Sequence, residues 1–126
     1  MAKTQEQALI LLRFGLSFKK LLDENKAEKQ FNTDKGIKDH KLVYTLGQLS
    51  STTGLRKATL SNIFSGSSNP EGTTILLILE GINKSLSKFA ILYENITQEE
   101  LLAYSKSIEN ARRNRKLKKG IIKSKK

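Results

Sequence analysis

Residues 46–70 read LGQLSSTTGLRKATLSNIFSGSSNP, and the spacing within them predicts two short helices joined by a glycine turn. Leu46 and Leu49 recur with the small residues Ser50 and Thr53 at helical intervals and mark one buried stripe. Gly54 follows as a position open to positive φ, which lets a chain leave a helix sharply. A second stripe forms from Leu60, Ile63 and Phe64. Its opposite face carries Lys57, Ala58, Ser61, Asn62 and Ser65, all short or polar, with no acid among them. Thr45 stands before the first helix as a fair N-cap. Residues 66–72, GSSNPEG, are the strongest loop signal in the chain.

Over residues 45–93 these elements, in this order, resemble the phage-repressor-like (Cro/repressor, or xenobiotic-response-element) helix-turn-helix proteins. That family's pattern is a small-residue helix, a Gly, an apolar residue, a Ser/Thr-rich helix, a second Gly and a polar loop ending in Asn-Pro. Here it runs through Leu49-Ser50, Gly54-Leu55, Ala58-Thr59-Leu60-Ser61-Asn62-Ile63, Gly66 and Asn69-Pro70. It continues with Thr74-Ile75, Ile78 and Ile82, then Ser85-Leu86-Ser87 and Phe89, as a fourth and a fifth helix. Relatives often carry a phosphate-holding Gln at the start of the first helix of the pair. This chain has Leu46 there, and Gln48 is the nearest polar replacement.

The resemblance implies an all-α, lambda-repressor-like domain of five or six helices that binds double-stranded DNA. The 56–65 helix would lie in the major groove, as part of a homodimer on a two-fold operator with half-sites roughly 34 Å apart. On that docking Lys57, Ala58, Ser61 and Asn62, spaced i, i+1, i+4 and i+5, face base edges. Lys57 suits guanine O6/N7, Asn62 suits adenine, and the Ala58 methyl suits thymine. Gln48, Arg56, Thr59, Ser65, Ser67 and Ser68, with the backbone of residues 65–68, lie nearer the helix ends and face phosphates.

The net charge of +11 is unevenly placed. From Ser105 onward ten basic residues stand against Glu109 alone, a net +9, while residues 1–104 carry 13 basic and 11 acidic residues, a net +2. A polycationic extension attracts polyanions without regard to sequence, and salt weakens that attraction steeply. Arg112, Arg113, Arg115, Lys116, Lys118 and Lys119 are therefore further candidates for phosphate contact. A solvated extension, or contact with RNA or a membrane surface, are the other readings of the same run.

Composition excludes several classes. The chain has no Cys and one His, so disulfides and thiolate metal sites are ruled out, and His40 alone makes no zinc site. His40 reads as a solvated loop residue with no nucleophile beside it. No phosphate-loop or dinucleotide fingerprint occurs. The expectation is therefore no enzyme, no metal and no cofactor. The apolar run 8–12 is too short to span a bilayer, is followed by Arg13, and lacks a small-residue cleavage site. A cytoplasmic, nucleoid-associated protein without membrane contact is expected.

The remaining chain reads as follows. A long first helix is predicted over residues 4–25, with Ala8, Leu11, Leu12, Gly15, Phe18 and Leu22 on one stripe and Leu9, Ile10, Phe14 and Leu21 widening it. Residues 26–41 are polar and unperiodic and predict an insertion loop, pinned by Phe31 and Ile37. Thr73 or Thr74 caps a fourth helix that is apolar nearly all round, and Ser85 or Ser87 begins a fifth. Thr97 and Glu100 form a capping box for a sixth, carrying Leu101, Leu102, Tyr104, Ile108 and Ala111 before it gives way to the basic tail. The domain reading is 1–104, with a core at 42–93 and the loop at 26–41, followed by a basic extension at 105–126. Helix one and helix four offer apolar surface for a dimer seam. Two further roles are compatible with these features. One is the repressor-like antitoxin of a toxin–antitoxin pair. The other is a protein- or RNA-interaction module that uses the helix-turn-helix as scaffold.

Overall fold

The computed structural model describes residues 4–36 and 42–124, without the side chains of 118–124. These residues form six helices: α1 (Gln5–Asp34), α2 (Leu46–Thr53), α3 (Lys57–Phe64), α4 (Gly72–Gly81), α5 (Leu86–Asn95) and α6 (Gln98–Ser124). No strand occurs among them. The chain divides into two compact units, residues 1–96 with α1–α5 and residues 97–126 with α6.

In the first unit, α1 opens on a capping box. Thr4 Oγ1 accepts from the Gln7 amide and Gln7 Oε1 accepts from the Thr4 amide, both at 3.1 Å, satisfying two N–H groups that a helix start leaves without partners. Leu11, Gly15, Leu16, Phe18, Leu21, Leu22 and Asn25 are its buried residues along with Ser17. Leu9 and Ile10 are exposed.

The loop expected over 26–41 is not formed by its first part, because α1 continues to Asp34. Lys26, Ala27, Glu28, Lys29 and Gln30 are all strong helix formers, and no Gly or Pro intervenes before Gly36. Adding turns to an existing helix avoids the unfavourable nucleation step, so a polar segment extends it without any apolar stripe. Phe31, expected to pin this region to the body, is 56% exposed, with the Lys35 ammonium 5.9 Å from its ring centre. Ile37 and His40 lie outside the described residues.

The core of this unit forms around Phe18, whose ring lies 5.7 Å from that of Phe64 and 4.7 Å from that of Phe89. Leu21, Leu49, Leu60, Ile78 and Ile82 complete its fully buried apolar part. Helix α1 thereby packs on α3 and α5, while α2 packs on α3 and α4. Two polar residues of α1 tie these helices at their ends. Buried Asn25 donates through Nδ2 to the carbonyls of Val43 (2.8 Å) and Ile82 (3.0 Å). Arg13 Nη1 donates to the carbonyls of Tyr93 (3.0 Å) and Ile96 (3.2 Å) where α5 ends, a cation satisfying the negative end of a helix.

Helix α4 starts two to three residues earlier than the expected Thr73 or Thr74 cap. Glu71 is the N-cap residue, and its carbonyl accepts from Ile75 N at 3.0 Å. That first turn brings Ile75 against the core. Ile78 and Leu79 are buried, whereas Leu76 and Leu77 are exposed, so the all-round apolar helix is covered on one side only. Ser85 caps α5 as expected, accepting from Lys88 N at 3.1 Å.

The second unit begins with the expected capping box: Thr97 Oγ1 accepts from Glu100 N at 3.1 Å, and Glu100 Oε1 accepts from Thr97 N at 3.3 Å. Helix α6 does not give way near Ala111 but runs on to Ser124. Residues 111–119 are Ala, Arg, Lys, Leu and one Asn, mostly strong helix formers. A Glu109–Arg113 ion pair of 2.9 Å at i,i+4 adds support.

Candidate nucleic-acid interface

The geometry of the site starts at the entry to α2. Thr45 Oγ1 accepts from Gln48 N at 3.1 Å, while Gln48 Oε1 accepts from the amides of Tyr44 (2.8 Å) and Thr45 (3.2 Å). The amide oxygen is thus fixed against the helix start, and the Nε2 group has no partner among the described residues. A donor is held ready at an exposed helix N-terminus.

At the other end of α2, Gly54 takes φ 79°, and its N–H donates to Ser50 O at 2.9 Å. Two hydroxyls fasten the turn that follows. Ser50 Oγ donates to Leu55 O at 2.6 Å. Thr53 Oγ1 donates to Leu49 O at 2.7 Å and accepts from Leu55 N at 3.2 Å. Sequence spacing had marked Ser50 and Thr53 only as small members of a buried stripe. Both are half-buried, and their larger part is to fix the path from α2 into α3.

Helix α3 then presents two different faces. Leu60, Ile63 and Phe64 are buried at 0%, 2% and 6% exposure. Lys57, Ala58, Ser61 and Asn62 are all exposed, as are Arg56 and Thr59. Arg56 is the N-cap residue and offers no side-chain acceptor to the first turn. Those N–H groups and the two cations make the start of α3 the positive end of the element. No Asp or Glu occurs between Leu42 and Pro70, so no acid of this segment opposes an anion there.

The end of α3 corrects one expectation. The N–H groups of residues 65–68 are already engaged: Ser65 with Ser61 O, Gly66 with Ile63 O, and Ser67 and Ser68 both with Asn62 O. The backbone there is spent on closing the helix, because a chain that turns away through Gly66 (φ 76°) must satisfy the last carbonyls. The Ser65 and Ser67 hydroxyls are engaged as well, with Ser65 Oγ donating to Asn62 O at 3.2 Å. Ser65 and Ser67 hydrogen-bond each other through Oγ at 2.8 Å.

Residues 42–89 match the family model described as helix-turn-helix. Residues 42–89 are a helix-turn-helix of the phage-repressor-like type. The match suggests a DNA-binding regulator. No curated protein and no solved structure matches the chain. The helix-turn-helix covers α2, α3, α4 and the start of α5, and it leaves out α1. Yet Phe18 of α1 stacks on Phe64 of α3, so a helix outside the matched segment supplies part of the core behind the exposed face.

Electrostatics elsewhere in the first unit serve packing. Glu24 of α1 ion-pairs with Lys88 (2.8 Å) and Lys84 (3.2 Å), joining α1 to the start of α5. Partial burial works to raise its pKa, but the ammonium groups of Lys88 and Lys84 outweigh that and hold the carboxyl below its ordinary value. Among the described residues no three His, Cys, Asp or Glu side chains group as a metal site. No described helix is long and apolar enough to cross a membrane. In the second unit Arg112, Arg113, Arg115 and Lys116 are exposed along α6; the side chains of Lys118 and Lys119 lie outside the described residues.

Asn25 and Arg13 were missed by sequence reasoning. Arg13 interrupts an apolar run of α1, whereas Asn25 lies in the polar stretch DENK but falls three and four residues after Leu22 and Leu21, on the buried stripe. The usable signal was their isolation, since a lone polar residue on a buried stripe needs a partner to be tolerated.

Proposed function

We propose that this chain is a sequence-specific, double-stranded-DNA-binding transcriptional regulator that reads the major groove with α3. The observation that carries the reading is the exposure of Lys57, Ala58, Ser61 and Asn62 on the face opposite Leu60, Ile63 and Phe64. Such a face, short, polar and acid-free, fits within a groove about 12 Å wide and can donate to and accept from base edges. Gln48 Nε2, Arg56, Thr59 and the hydroxyls of Ser65, Ser67 and Ser68 flank it and hold phosphates, setting register without reading sequence. Arg112, Arg113, Arg115, Lys116, Lys118 and Lys119 add sequence-independent affinity. The chain works as a homodimer in the cytoplasm, at the nucleoid, and occupies an operator to block or recruit polymerase.

Selection of bound duplexes from a random DNA pool tests this directly. Enrichment of a two-fold motif with half-sites about one helical turn apart is the expected outcome. A pool that stays random after repeated rounds overturns the reading.

A further inference from the structure

We infer that the basic section of α6 engages duplex DNA as a preformed helix, with Arg115 and Lys116 open to phosphates and Arg113 held back by its ion pair with Glu109. The inference rests on the DNA-binding reading above and adds how the basic extension acts. Because α6 is continuous from Gln98 to Ser124, the cations Arg112, Arg113, Arg115 and Lys116 sit on a helical scaffold rising about 1.5 Å per residue. Arg112, Arg115 and Lys116 stand at i, i+3 and i+4 and so share a face, and all three are exposed. Arg115 and Lys116 make no hydrogen bond or ion pair among the described residues. Arg113 differs from Arg115 and Lys116: its Nη2 donates to Glu109 Oε1 at 2.9 Å.

A flexible polycation has no such division, since each of its charges meets phosphates equally well. A helix does, and it has less ordering entropy to lose on binding than a disordered segment. Charge complementarity names the occupant. Duplex DNA carries one negative charge per roughly 1.7 Å of axis, against a segment with ten cations and one acid.

The test uses the full chain and the salt dependence of its affinity for a random-sequence duplex. Arg115→Gln combined with Lys116→Gln is expected to flatten the slope of log affinity against log salt by about 1.8, which is about 0.9 for each contact. Arg113→Gln is expected to change it by much less than one contact. Asn114→Pro keeps every charge while breaking the helix. Circular dichroism should report that loss, and random-duplex affinity should fall severalfold. Equal slope changes for Arg113→Gln and Arg115→Gln, or undiminished binding by a helix-broken Asn114→Pro chain, overturn the inference in favour of a flexible tail. Tighter binding of single-stranded RNA than of duplex overturns the choice of DNA. A wild-type chain lacking any operator preference defeats the α3 reading alone, because these slopes are measured on random duplex.

Discussion

Gly15 of α1 lies against the carbonyl of Phe64, the last residue of α3. A β-carbon at position 15 would come 2.8 Å from the Phe64 carbonyl carbon and 3.0 Å from the Ile63 oxygen. Two backbones meet here with no side chain between them. The exposed face of α3 is therefore aimed in part by a helix that the helix-turn-helix match does not include.

Gly15→Ala is expected to push α1 and α3 apart. Overpacking of this kind costs about 1–3 kcal/mol, read as a lower urea midpoint with an unchanged slope. Affinity for a selected operator should fall more than affinity for random duplex, because α3 tilts while the basic extension is untouched. A variant as stable as the wild type, with its sequence preference intact, would show that the close approach is not a constraint on α3.

How far these features were legible depends on whether they are local. The α2–turn–α3 unit was readable because Thr45, Gly54, Leu60 and Ile63 each state a local rule: a cap, a positive φ, a helical stripe. Ser85 and the Thr97–Glu100 box were readable for the same reason. The extension of α1 through residues 26–34 was not, since a polar helix borne by its own propensity has no apolar period to detect. The bonds of Asn25 to Val43 and Ile82 join positions far apart in the chain, and nothing local announces them. The engaged amides of residues 65–68 were equally hidden, because donors in a loop look available until the turn that uses them is known.

Gly54→Ala isolates the turn from packing. An added β-carbon at position 54 meets nothing within 4 Å, so the cost is purely that of a left-handed backbone at φ 79°, about 1–2 kcal/mol. Thermal unfolding should show a modest drop. A large loss would point to contacts that the open surroundings of Gly54 do not contain.

Glu24 makes stability depend on pH in a defined direction. Its carboxyl is held below the ordinary value in the folded chain, so its contribution is fully present above the unfolded-state pKa and is lost as pH falls through the folded one. Glu24→Gln should therefore be less stable than wild type near neutral pH, and the gap should close on acidification. Chemical denaturation of both proteins across that range checks it. A gap that stays constant with pH would mean Glu24 acts through packing and not through its charge.

Leu76→Glu on α4 and Leu9→Glu on α1 test the dimer. Both wild-type residues are about half exposed, at 51% and 48%, so neither substitution should unfold the chain. Burying an unpaired carboxylate in a seam costs several kcal/mol, enough to split a modest dimer. Light scattering should report a lower mass for whichever variant lies in the seam, with circular dichroism unchanged. A wild-type chain that is monomeric at high micromolar concentration disposes of the homodimer altogether.

Lys57→Ala and Asn62→Ala decide whether α3 reads bases. Each should cost roughly 1–3 kcal/mol of operator affinity and relax preference at one base position. Stability should hardly move, since both side chains are exposed and surface changes of this kind are usually within about 0.5 kcal/mol. The two variants should differ on random duplex. Asn62→Ala removes no charge and should bind it as the wild type does, while Lys57→Ala should lose slightly at low salt. If both variants keep full discrimination between operator and random DNA, α3 is not the reading element. The exposed face opposite Leu60 and Ile63 would then be a solvated surface, and the source of sequence preference would have to be sought in another helix.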